Sequence, residues 1–263
     1  MTTIIDGKAV AAGLRADVAR SVAAFSERHG RVPGLATVLV GDDPASAVYV
    51  ANKQKATAEV GMRGFSHELS ADTTREELVS LIQQLNADPA VSGILCQLPL
   101  PAHLDDTEIT NLIDATKDVD GLSIANAGLL ALGLPGLRPC TPTGVMVLLE
   151  HARIDLAGAH AVVLGRSNLF GKPMAQLLLA ADATVTTCHS RTRGLAELCR
   201  GADVLIAAVG RPRMVKGDWI RPGAVVVDVG INRTDAGLVA DVDQAAVDGV
   251  ACALTPSRAG SGR

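Results

Sequence analysis

The stretch AVVLGRSNLFGKP, residues 161–173, decides the fold of this chain. Its first four residues form a short apolar run with β-branched members, which is typical of a parallel strand covered on both faces. Gly165 ends that run, and after Gly171 apolar residues recur at helical spacing. A strand, a glycine turn and a helix in this order favour an anion at the helix N-terminus. The stretch therefore predicts a nucleotide-binding turn, with Gly165, Arg166 and Ser167 as cofactor-binding residues.

This signal is weak by itself. Five residues separate Gly165 from Gly171, so the spacing is not the G-x-G-x-x-G fingerprint, and Ser167 stands where the second glycine is expected. Many α/β proteins have a glycine in a strand-to-helix turn with no nucleotide near it. The turn alone leaves both interpretations open.

The end of the next predicted strand, ATVTTC at 183–188, favours a particular dinucleotide. NAD enzymes place a carboxylate at this point to hold the ribose. Here Ser190 and Arg191 follow the strand without a carboxylate, and Arg166 lies in the first turn. Two cations and a hydroxyl suit a 2′-phosphate, so we predict NADP over NAD. A solvated basic loop is the alternative.

The rest of the C-terminal half continues the alternation of strands and helices. Apolar strands are predicted at 203–209, 224–229 and 249–254, which together imply a parallel sheet with right-handed crossovers. Gly210 and Gly230 end two of them and permit close approach of a ligand at one sheet edge. We predict both glycines and Ile231 as cofactor-binding residues. Asp228, in an apolar strand, is interpreted as structurally paired.

Length and composition set the general class. The chain has 263 residues, of which 48% are hydrophobic and 20% charged, enough for a large core and two domains. No apolar run reaches membrane-spanning length and no secretory signal is visible, so we expect no membrane partner and a cytoplasmic location. A formal charge of −4 and few aromatic residues argue against nucleic acid as a partner.

The cysteines give no sign of a metal or of disulfides. They are five in number, scattered and without C-x-x-C spacing: Cys96, Cys140, Cys188, Cys199 and Cys252. Each stands in an apolar stretch, which predicts small core residues in a reducing compartment. We expect no metal site, and a small molecule as the ligand.

Tyr49 and Lys53 form a candidate pair in the N-terminal half. They are four residues apart in a predicted helix that opens near Pro44, with Asp43 or Ser46 as its cap. An aromatic ring offers a stacking surface, and a lysine partly withdrawn from water can serve as an acid or base. A surface lysine folded over a half-buried ring is the alternative that this pattern alone favours.

Two further polar positions follow predicted strands or helices. Gln97 lies in VSGILCQLPL, residues 91–100, predicted as a strand that the two prolines end. Its amide can point into a ligand crevice or tie down its own loop.

In KDVDG, residues 117–121, one of Asp118 and Asp120 can point inward. Thr141 and Pro142 are predicted as the cap and first residue of a helix over 144–153.

With these residues in place, the chain resembles the bifunctional methylenetetrahydrofolate dehydrogenase/cyclohydrolase family along nearly its whole length. The family's motifs occur here in order: Y-V-x-x-K-x-K-A at 49–56, Q-L-P-L-P at 97–101, K-D-V-D-G at 117–121, P-C-T-P at 139–142 and G-R-S-x-x-x-G-x-P at 165–173. The resemblance implies an α/β fold with a catalytic, folate-binding domain at 1–140 and a Rossmann-type NADP-binding domain at 141–263. Folate would bind in the cleft between them.

The resemblance also implies roles for individual residues. Lys53 would be the catalytic lysine, Gln97 would hydrogen-bond and tune it, and Asp120 would hold the pterin ring. Tyr49 would stack on the folate, and Leu98 and Pro99 would contact it. The implied reactions are oxidation of 5,10-methylenetetrahydrofolate by NADP and hydrolysis of the methenyl product to 10-formyltetrahydrofolate. A homodimer and no metal are implied as well.

Two alternatives stand beside this function. A Tyr-x-x-x-Lys pair also marks short-chain dehydrogenases, but there the pair follows the nucleotide turn, and here it precedes the turn.

The second alternative concerns TPSRAGSGR at 255–263, where the family continues into a P-G-G-V-G-P loop and a helix. A one-base deletion in a GC-rich gene reproduces this peptide, so we predict a frameshift, with a designed truncation or natural variant as the alternative. We then expect NADP binding, weak folate turnover and a tendency to aggregate, as in an NADP- or folate-binding protein with impaired turnover.

Overall fold

The computed structural model describes residues 2–235 and 237–256. The residues from 257 onward, on which the predicted frameshift falls, lie outside the described residues. The described chain divides into two compact units. We call residues 11–140 the N-terminal unit. Residues up to 10 and those from 141 onward form the C-terminal unit.

The strands and helices alternate along most of the chain. The strands are β1 Thr3–Ile4, β2 Gly34–Val40, β3 Arg63–Leu69, β4 Gly93–Cys96, β5 His160–Leu164, β6 Thr184–Cys188, β7 Val204–Ala207, β8 Val225–Asp228, β9 Asn232–Thr234, β10 Gly237–Val239 and β11 Ala253–Leu254. The helices are α1 Gly7–His29, α2 Pro44–Glu59, α3 Arg75–Ala87, α4 Asp106–Leu112, α5 Ile124–Ala131, α6 Cys140–His151, α7 Gly171–Ala180, α8 Leu195–Arg200 and α9 Gln244–Val247, with a 3-10 turn at Gly217–Trp219.

The N-terminal unit has a parallel three-stranded sheet in the order β3-β2-β4. The central strand β2, GLATVLV, is almost wholly buried, because it has a partner on each side and apolar side chains on both faces. The edge strand β3 alternates between exposed and half-buried residues. Helix α3 packs Leu78, Ile82 and Leu85 into the same core as β2 and β4.

The C-terminal unit has a six-stranded sheet in the order β1-β11-β8-β7-β5-β6, parallel throughout. Strands β7 and β8 read VLIA and VVVD and are buried over their apolar residues, as expected for the middle of a covered parallel sheet. The sheet's outer strand β1 comes from the start of the chain and pairs with β11. The predicted parallel sheet in the second half is confirmed.

Several predicted boundaries were wrong. The strand predicted over 91–100 is only β4, Gly93–Cys96, and the last predicted strand, 249–254, is only β11. Helix α6 begins at Cys140, so Thr141 lies inside its first turn instead of capping it. Pro142 is accommodated there because the first N–H groups of a helix have no partner within it. At α2, Asp43 is the cap: its carboxylate accepts from the Ser46 N–H at 2.8 Å.

The prediction that all five cysteines are core residues was partly wrong. Cys96, Cys188 and Cys199 are buried, whereas Cys140 and Cys252 are exposed. Cys140 opens α6, and Cys252 immediately precedes the two-residue strand β11, so short apolar context did not ensure burial. Within 2–235 and 237–256, no helix has both the length and the apolar character needed to cross a bilayer.

Candidate active site

The Lys53 side chain lies on the inward face of α2. Buried residues occur along this helix at Ser46, Val50 and Thr57, and at its C-cap Val60. With Lys53 they form one stripe at intervals of four and three residues, the spacing of a single helix face. Lys53 is therefore half-buried. Tyr49, one turn earlier on the edge of that face, is 47% exposed.

Gln97 joins Lys53 to the end of β4. Its backbone N–H donates to the Val38 carbonyl at 2.9 Å, which places it directly after the buried strand. The Lys53 ammonium donates to the Gln97 Oε1 atom at 3.2 Å, and the Gln97 Nε2 atom donates to the Leu98 carbonyl at 2.8 Å. The amide thus holds its own loop and faces the lysine with its carbonyl. The predicted contact between Lys53 and Gln97 is present, while the catalytic roles stay predictions.

The KDVDG segment packs along the outer side of β4. The Ile94 N–H donates to the Lys117 carbonyl at 2.7 Å, and Ile94 forms a β-bridge with Asp118. Asp118 is buried and accepts from the Ser123 N–H at 2.8 Å and the Asn126 Nδ2 atom at 3.0 Å. Of the two aspartates, Asp118 is thus the one that fixes the local fold, and Asp120 lies within the turn that the Gly121 N–H closes onto the Asp118 carbonyl at 3.0 Å.

Asp120 lies close enough to Lys53 to interact with its charge. Burial raises the pKa of Asp120, the Lys53 ammonium opposes that rise, and the neighbouring Asp118 carboxylate adds to it. A half-buried acid beside a cation and an amide is an arrangement that can bind a polar heterocycle and move protons. The structure thus brings together the three residues predicted as catalytic, Lys53, Gln97 and Asp120, within the N-terminal unit. Leu98 and Pro99 follow immediately after Gln97.

Sequence reasoning missed the role of Lys117, the first residue of KDVDG. Its ammonium donates to three carbonyls at the end of α3, those of Leu85 at 3.1 Å, Asn86 at 2.7 Å and Asp88 at 2.8 Å. A cation at this point satisfies carbonyls that have no partner within the helix. Lys117 therefore holds the segment carrying Asp120 against α3. A basic residue after a helical pattern is the only sequence signal, and it did not indicate which helix was involved.

In the C-terminal unit, the turn after β5 requires both of its glycines. Gly165 has φ +127°, and a Cβ there would come within 2.5 Å of the Ala208 carbonyl oxygen. A Cβ on Gly171 would collide with the backbone of Gly165 and Arg166. The Ser167 hydroxyl accepts from the N–H groups of Phe170 at 3.2 Å and Gly171 at 3.5 Å. Ser167 thereby closes the turn and supports the N-terminus of α7.

Basic and hydroxyl side chains gather at the carboxyl edge of this sheet. Arg166 follows β5, while Ser190 and Arg191 follow β6, and all three are exposed. Strands β5 and β6 are parallel neighbours, so their carboxyl ends meet at one edge. The turn after β6 is fixed by the His189 N–H, which donates to the Thr192 hydroxyl at 2.9 Å. These donors beside a glycine turn and a helix N-terminus fit an anionic dinucleotide.

Asp241 is the residue that sequence reasoning missed at the same edge. It is fully buried. Its Oδ2 atom accepts from the N–H groups of Val209 at 2.6 Å and Gly210 at 3.0 Å, and its Oδ1 atom accepts from the Arg211 N–H at 2.8 Å. The N–H of predicted cofactor residue Gly210 is therefore directed at a carboxylate of the protein itself. A single aspartate between short apolar runs carries no sequence signal of this role.

Asp228, at the end of β8, is a second half-buried carboxylate in this region. It accepts from the N–H groups of Gly230 at 2.9 Å, Val242 at 2.7 Å and Asp241 at 3.3 Å. Burial raises the pKa of Asp228 to about 6; the Asp241 carboxylate also raises it, and the backbone donors oppose the rise. Its interpretation as a structurally paired residue is confirmed by these contacts. The loop it holds carries Gly230 and Ile231.

The two units together define a class of protein. One unit is an α/β layer with a lysine–glutamine–aspartate cluster, and the other is a parallel sheet whose carboxyl edge suits a dinucleotide phosphate. The class is that of a dinucleotide-dependent enzyme with its acid–base residues on a separate α/β unit.

The chain belongs to the tetrahydrofolate dehydrogenase/cyclohydrolase family. Residues 5–120 match the model of the family's catalytic domain, and residues 139–263 match that of its NAD(P)-binding domain. The sequence is 59% identical to the bifunctional protein FolD of Dinoroseobacter shibae, covering 98% of this chain and 89% of that protein. The family, the two-domain α/β fold class and the bifunctional enzyme class predicted from the sequence are thereby confirmed.

Solved structures agree with this assignment. The bifunctional enzyme FolD from Campylobacter jejuni has a TM-score of 0.95 at 44% identity, covering 97% of this chain and 91% of that one. The methylenetetrahydrofolate dehydrogenase-cyclohydrolase of Trypanosoma brucei, solved with NADP cofactor and an inhibitor, has a TM-score of 0.91 at 38% identity, covering 97% and 90%. These matches support the predicted NADP cofactor. Individual site residues remain predictions.

Proposed function

We propose that this chain oxidises 5,10-methylenetetrahydrofolate with NADP and hydrolyses the methenyl product to 10-formyltetrahydrofolate. The observation that carries the proposal is the hydrogen bond from the Lys53 ammonium to the Gln97 Oε1 atom, with the Asp120 carboxyl near the same cation. Family membership supplies the reaction, and this cluster supplies groups able to carry it out. We assign folate binding to the domain predicted over residues 1–140 and NADP binding to that over residues 141–263, with residues up to 10 packing in the C-terminal unit.

The first reaction needs the folate to be held rigidly with its one-carbon unit presented. We propose that Tyr49, with its half-exposed ring, stacks on the folate, and that the Asp120 carboxyl holds the pterin ring by hydrogen bonds. Leu98 and Pro99 contact the same ligand. When bound, NADP accepts the hydride that leaves the methylene carbon. Positioning of reacting atoms supplies a large part of the rate enhancement in such transfers.

The second reaction adds water to the methenyl carbon. The carbon is already cationic, so no metal is required to make it electrophilic. A C–O bond forms as the neutral amine form of Lys53 takes one proton from the water. The resulting ammonium, directed by the Gln97 carbonyl, returns that proton to the folate nitrogen whose bond to the carbon breaks, and the remaining hydroxyl proton is released to solvent as the formyl C=O forms. General acid–base assistance of this kind typically contributes about 10²- to 10⁴-fold.

We propose that Arg166, Ser190 and Arg191 favour NADP over NAD. All three are exposed near the ends of adjacent strands, and no carboxylate occupies the position after β6 where NAD enzymes hold the ribose. The flanking positions Gly165, Ser167, Gly210, Gly230 and Ile231 complete the proposed cofactor site. Guanidinium groups bind phosphate by two parallel hydrogen bonds, which makes them selective for the 2′-phosphate.

We further propose that the enzyme works as a homodimer in the cytoplasm, with no nucleic-acid or membrane partner. The family resemblance supports the dimer, and the acidic net charge of −4 supports the absence of a nucleic-acid partner. Light scattering of the purified chain tests the assembly: a mass of twice 27.0 kDa is expected, and a monomer contradicts it.

The function is tested by assaying the purified 263-residue chain for each reaction separately. Methenyl formation is followed with 5,10-methylenetetrahydrofolate and either NADP or NAD, and hydrolysis is followed with methenyltetrahydrofolate alone. The proposal predicts both turnovers, with NADP preferred. Binding of NADP or folate with neither turnover contradicts it and favours the binding-protein alternative.

A further inference from the structure

We propose that Asp241 is a positioning residue for NADP binding, acting by holding together the two loops that follow β7 and β8. The inference rests on the proposed NADP site at the carboxyl edge of this sheet. Asp241 lies outside β7 and β8, and it is not among the residues proposed to contact the cofactor. It acts through residues 209–211 and 230–232.

The geometry of the carboxylate supports this role. Both oxygens are used: Oδ2 accepts from the N–H groups of Val209 and Gly210, and Oδ1 accepts from the Arg211 N–H and the Asn232 Nδ2 atom, the last at 2.8 Å. Three successive backbone donors therefore converge on one buried anion. Such a concave set of N–H groups is an anion-binding arrangement, here filled by the protein's own carboxylate.

The glycines of both loops are required by this packing. Gly210 has φ +65°, which lets the chain turn so that successive N–H groups face the carboxylate. A Cβ on Gly230 would collide with the Asp241 carboxyl group. Gly210 and Gly230, predicted as points of close approach to a ligand, thus also serve this packing: Gly210 through its positive φ, and Gly230 by leaving room for the carboxylate. Asn232 binds the same carboxylate and donates from Nδ2 to the Val239 carbonyl at 3.0 Å.

An amide cannot replace this carboxylate without loss. The site presents four donors to two oxygens, and a carboxylate is acceptor-only. In Asp241→Asn, either orientation of the amide turns an N–H group toward two of those donors. A buried donor without an acceptor is costly, so the two loops are expected to move apart. Because they carry Gly210 and Ile231, that movement displaces the proposed cofactor contacts.

The experiment compares Asp241→Asn with Asp203→Asn. Asp203 immediately precedes β7, at its amino end; it accepts from the His160 N–H at 2.9 Å and pairs with Arg221. We expect Asp241→Asn to weaken NADP binding about tenfold, because the displaced loops carry the proposed cofactor contacts. Asp203→Asn should leave it unchanged. Dissociation constants are measured by titration calorimetry at equal concentrations of folded protein.

Hydrolysis of methenyltetrahydrofolate separates positioning from general damage, because that reaction consumes no dinucleotide. Asp241→Asn is expected to retain the hydrolysis rate per folded molecule while the KM for NADP in the oxidation rises and kcat changes less. Unchanged NADP affinity, or an equal loss of both reactions, overturns the proposal.

Should Asp241→Asn not fold, Asn232→Ala removes a single donor and is expected to weaken NADP binding about threefold. Unchanged affinity in folded Asn232→Ala also overturns it. If the unaltered chain binds no NADP, the proposed function itself is wrong.

Discussion

The Lys53 ammonium lies 3.2 Å from the Gln97 Oε1 atom, although the two residues are separated by 44 positions in the chain. Helix α2 supplies the lysine from its buried stripe, and the end of β4 supplies the amide. Because the Gln97 Nε2 atom donates to the Leu98 carbonyl, the amide oxygen has a fixed direction toward the cation. This pair is the centre of the proposed acid–base site.

Replacing Gln97 with alanine should slow hydrolysis without abolishing it. The lysine keeps its position on the helix but loses the acceptor that directs it, and a hydrogen bond to a charged group is worth about 1.5–3 kcal/mol. We expect roughly tenfold slower hydrolysis of methenyltetrahydrofolate, measured by steady-state assay.

Gln54→Ala is the matched control for that experiment. Gln54 neighbours Lys53 on α2, but its Nε2 atom donates to the Thr37 hydroxyl and the Phe65 carbonyl instead of the active lysine. It should lower stability while leaving turnover per folded molecule unchanged. Equal turnover in Gln97→Ala and the unaltered enzyme would show that the amide does not direct the lysine.

Removing the Arg166 guanidinium should reduce the preference for NADP over NAD. Arg166 lies in the glycine turn after β5, at the edge proposed to hold the 2′-phosphate, and a hydrogen bond to a charged group is worth about 1.5–3 kcal/mol. The ratio of kcat/KM for NADP to that for NAD is expected to fall at least fivefold in Arg166→Ala.

Arg221→Ala provides the comparison, since Arg221 pairs with Asp203 at the opposite end of the sheet. It should leave the ratio as it is. If the ratio of kcat/KM for NADP to that for NAD is unchanged in Arg166→Ala, this arginine does not bind the 2′-phosphate.

Asp228 should make the stability of the C-terminal unit depend on pH between about 4 and 6. Burial, as the main cause, raises the pKa of the folded carboxyl to about 6, above its ordinary value of about 4. Between these values the folded state binds more protons than the unfolded state. The stabilisation is therefore complete below about pH 4 and is lost as the pH rises through 6, by up to about 3 kcal/mol.

Trp219 offers a direct readout of that effect, because it is the single tryptophan of the chain and packs against the core of the C-terminal unit. Urea unfolding of the unaltered protein and of Asp228→Asn is followed by its fluorescence at several pH values. The difference in unfolding free energy between them should change across this window. If the unfolding free energies of the two proteins differ by the same amount at every pH from 4 to 7, the pKa of Asp228 is not raised in the folded protein.

Local patterns predicted the elements that depend on neighbouring residues. The apolar run, glycine break and helical spacing at 161–180 gave the strand, turn and helix of the nucleotide unit. The start of α3 is likewise fixed locally, because Thr74 and Glu77 form a capping box there. In both cases the determining contacts lie within a few residues, so periodicity and capping rules are sufficient.

Contacts between distant segments were beyond these rules. The helical spacing of Tyr49 and Lys53 left a surface pair as the favoured interpretation, and the family resemblance, not periodicity, indicated Gln97 as the partner. Asp241 reaches donors 30 to 32 residues away, and Lys117 reaches carbonyls 29 to 32 residues away. Such long-range hydrogen bonds depend on how whole helices and strands pack together. A single aspartate or lysine in the sequence does not show that packing.

The most direct test of the central claim is hydrolysis of methenyltetrahydrofolate by Lys53→Met. Methionine keeps the aliphatic stem along the buried stripe but cannot exchange a proton, so the fold should persist while hydrolysis falls at least a hundredfold. The control Lys55→Met changes an exposed lysine that pairs with Glu59 and should hydrolyse normally. If folded Lys53→Met hydrolyses the substrate at the rate of the unaltered chain, Lys53 is not the catalytic lysine and the proposed site is wrong.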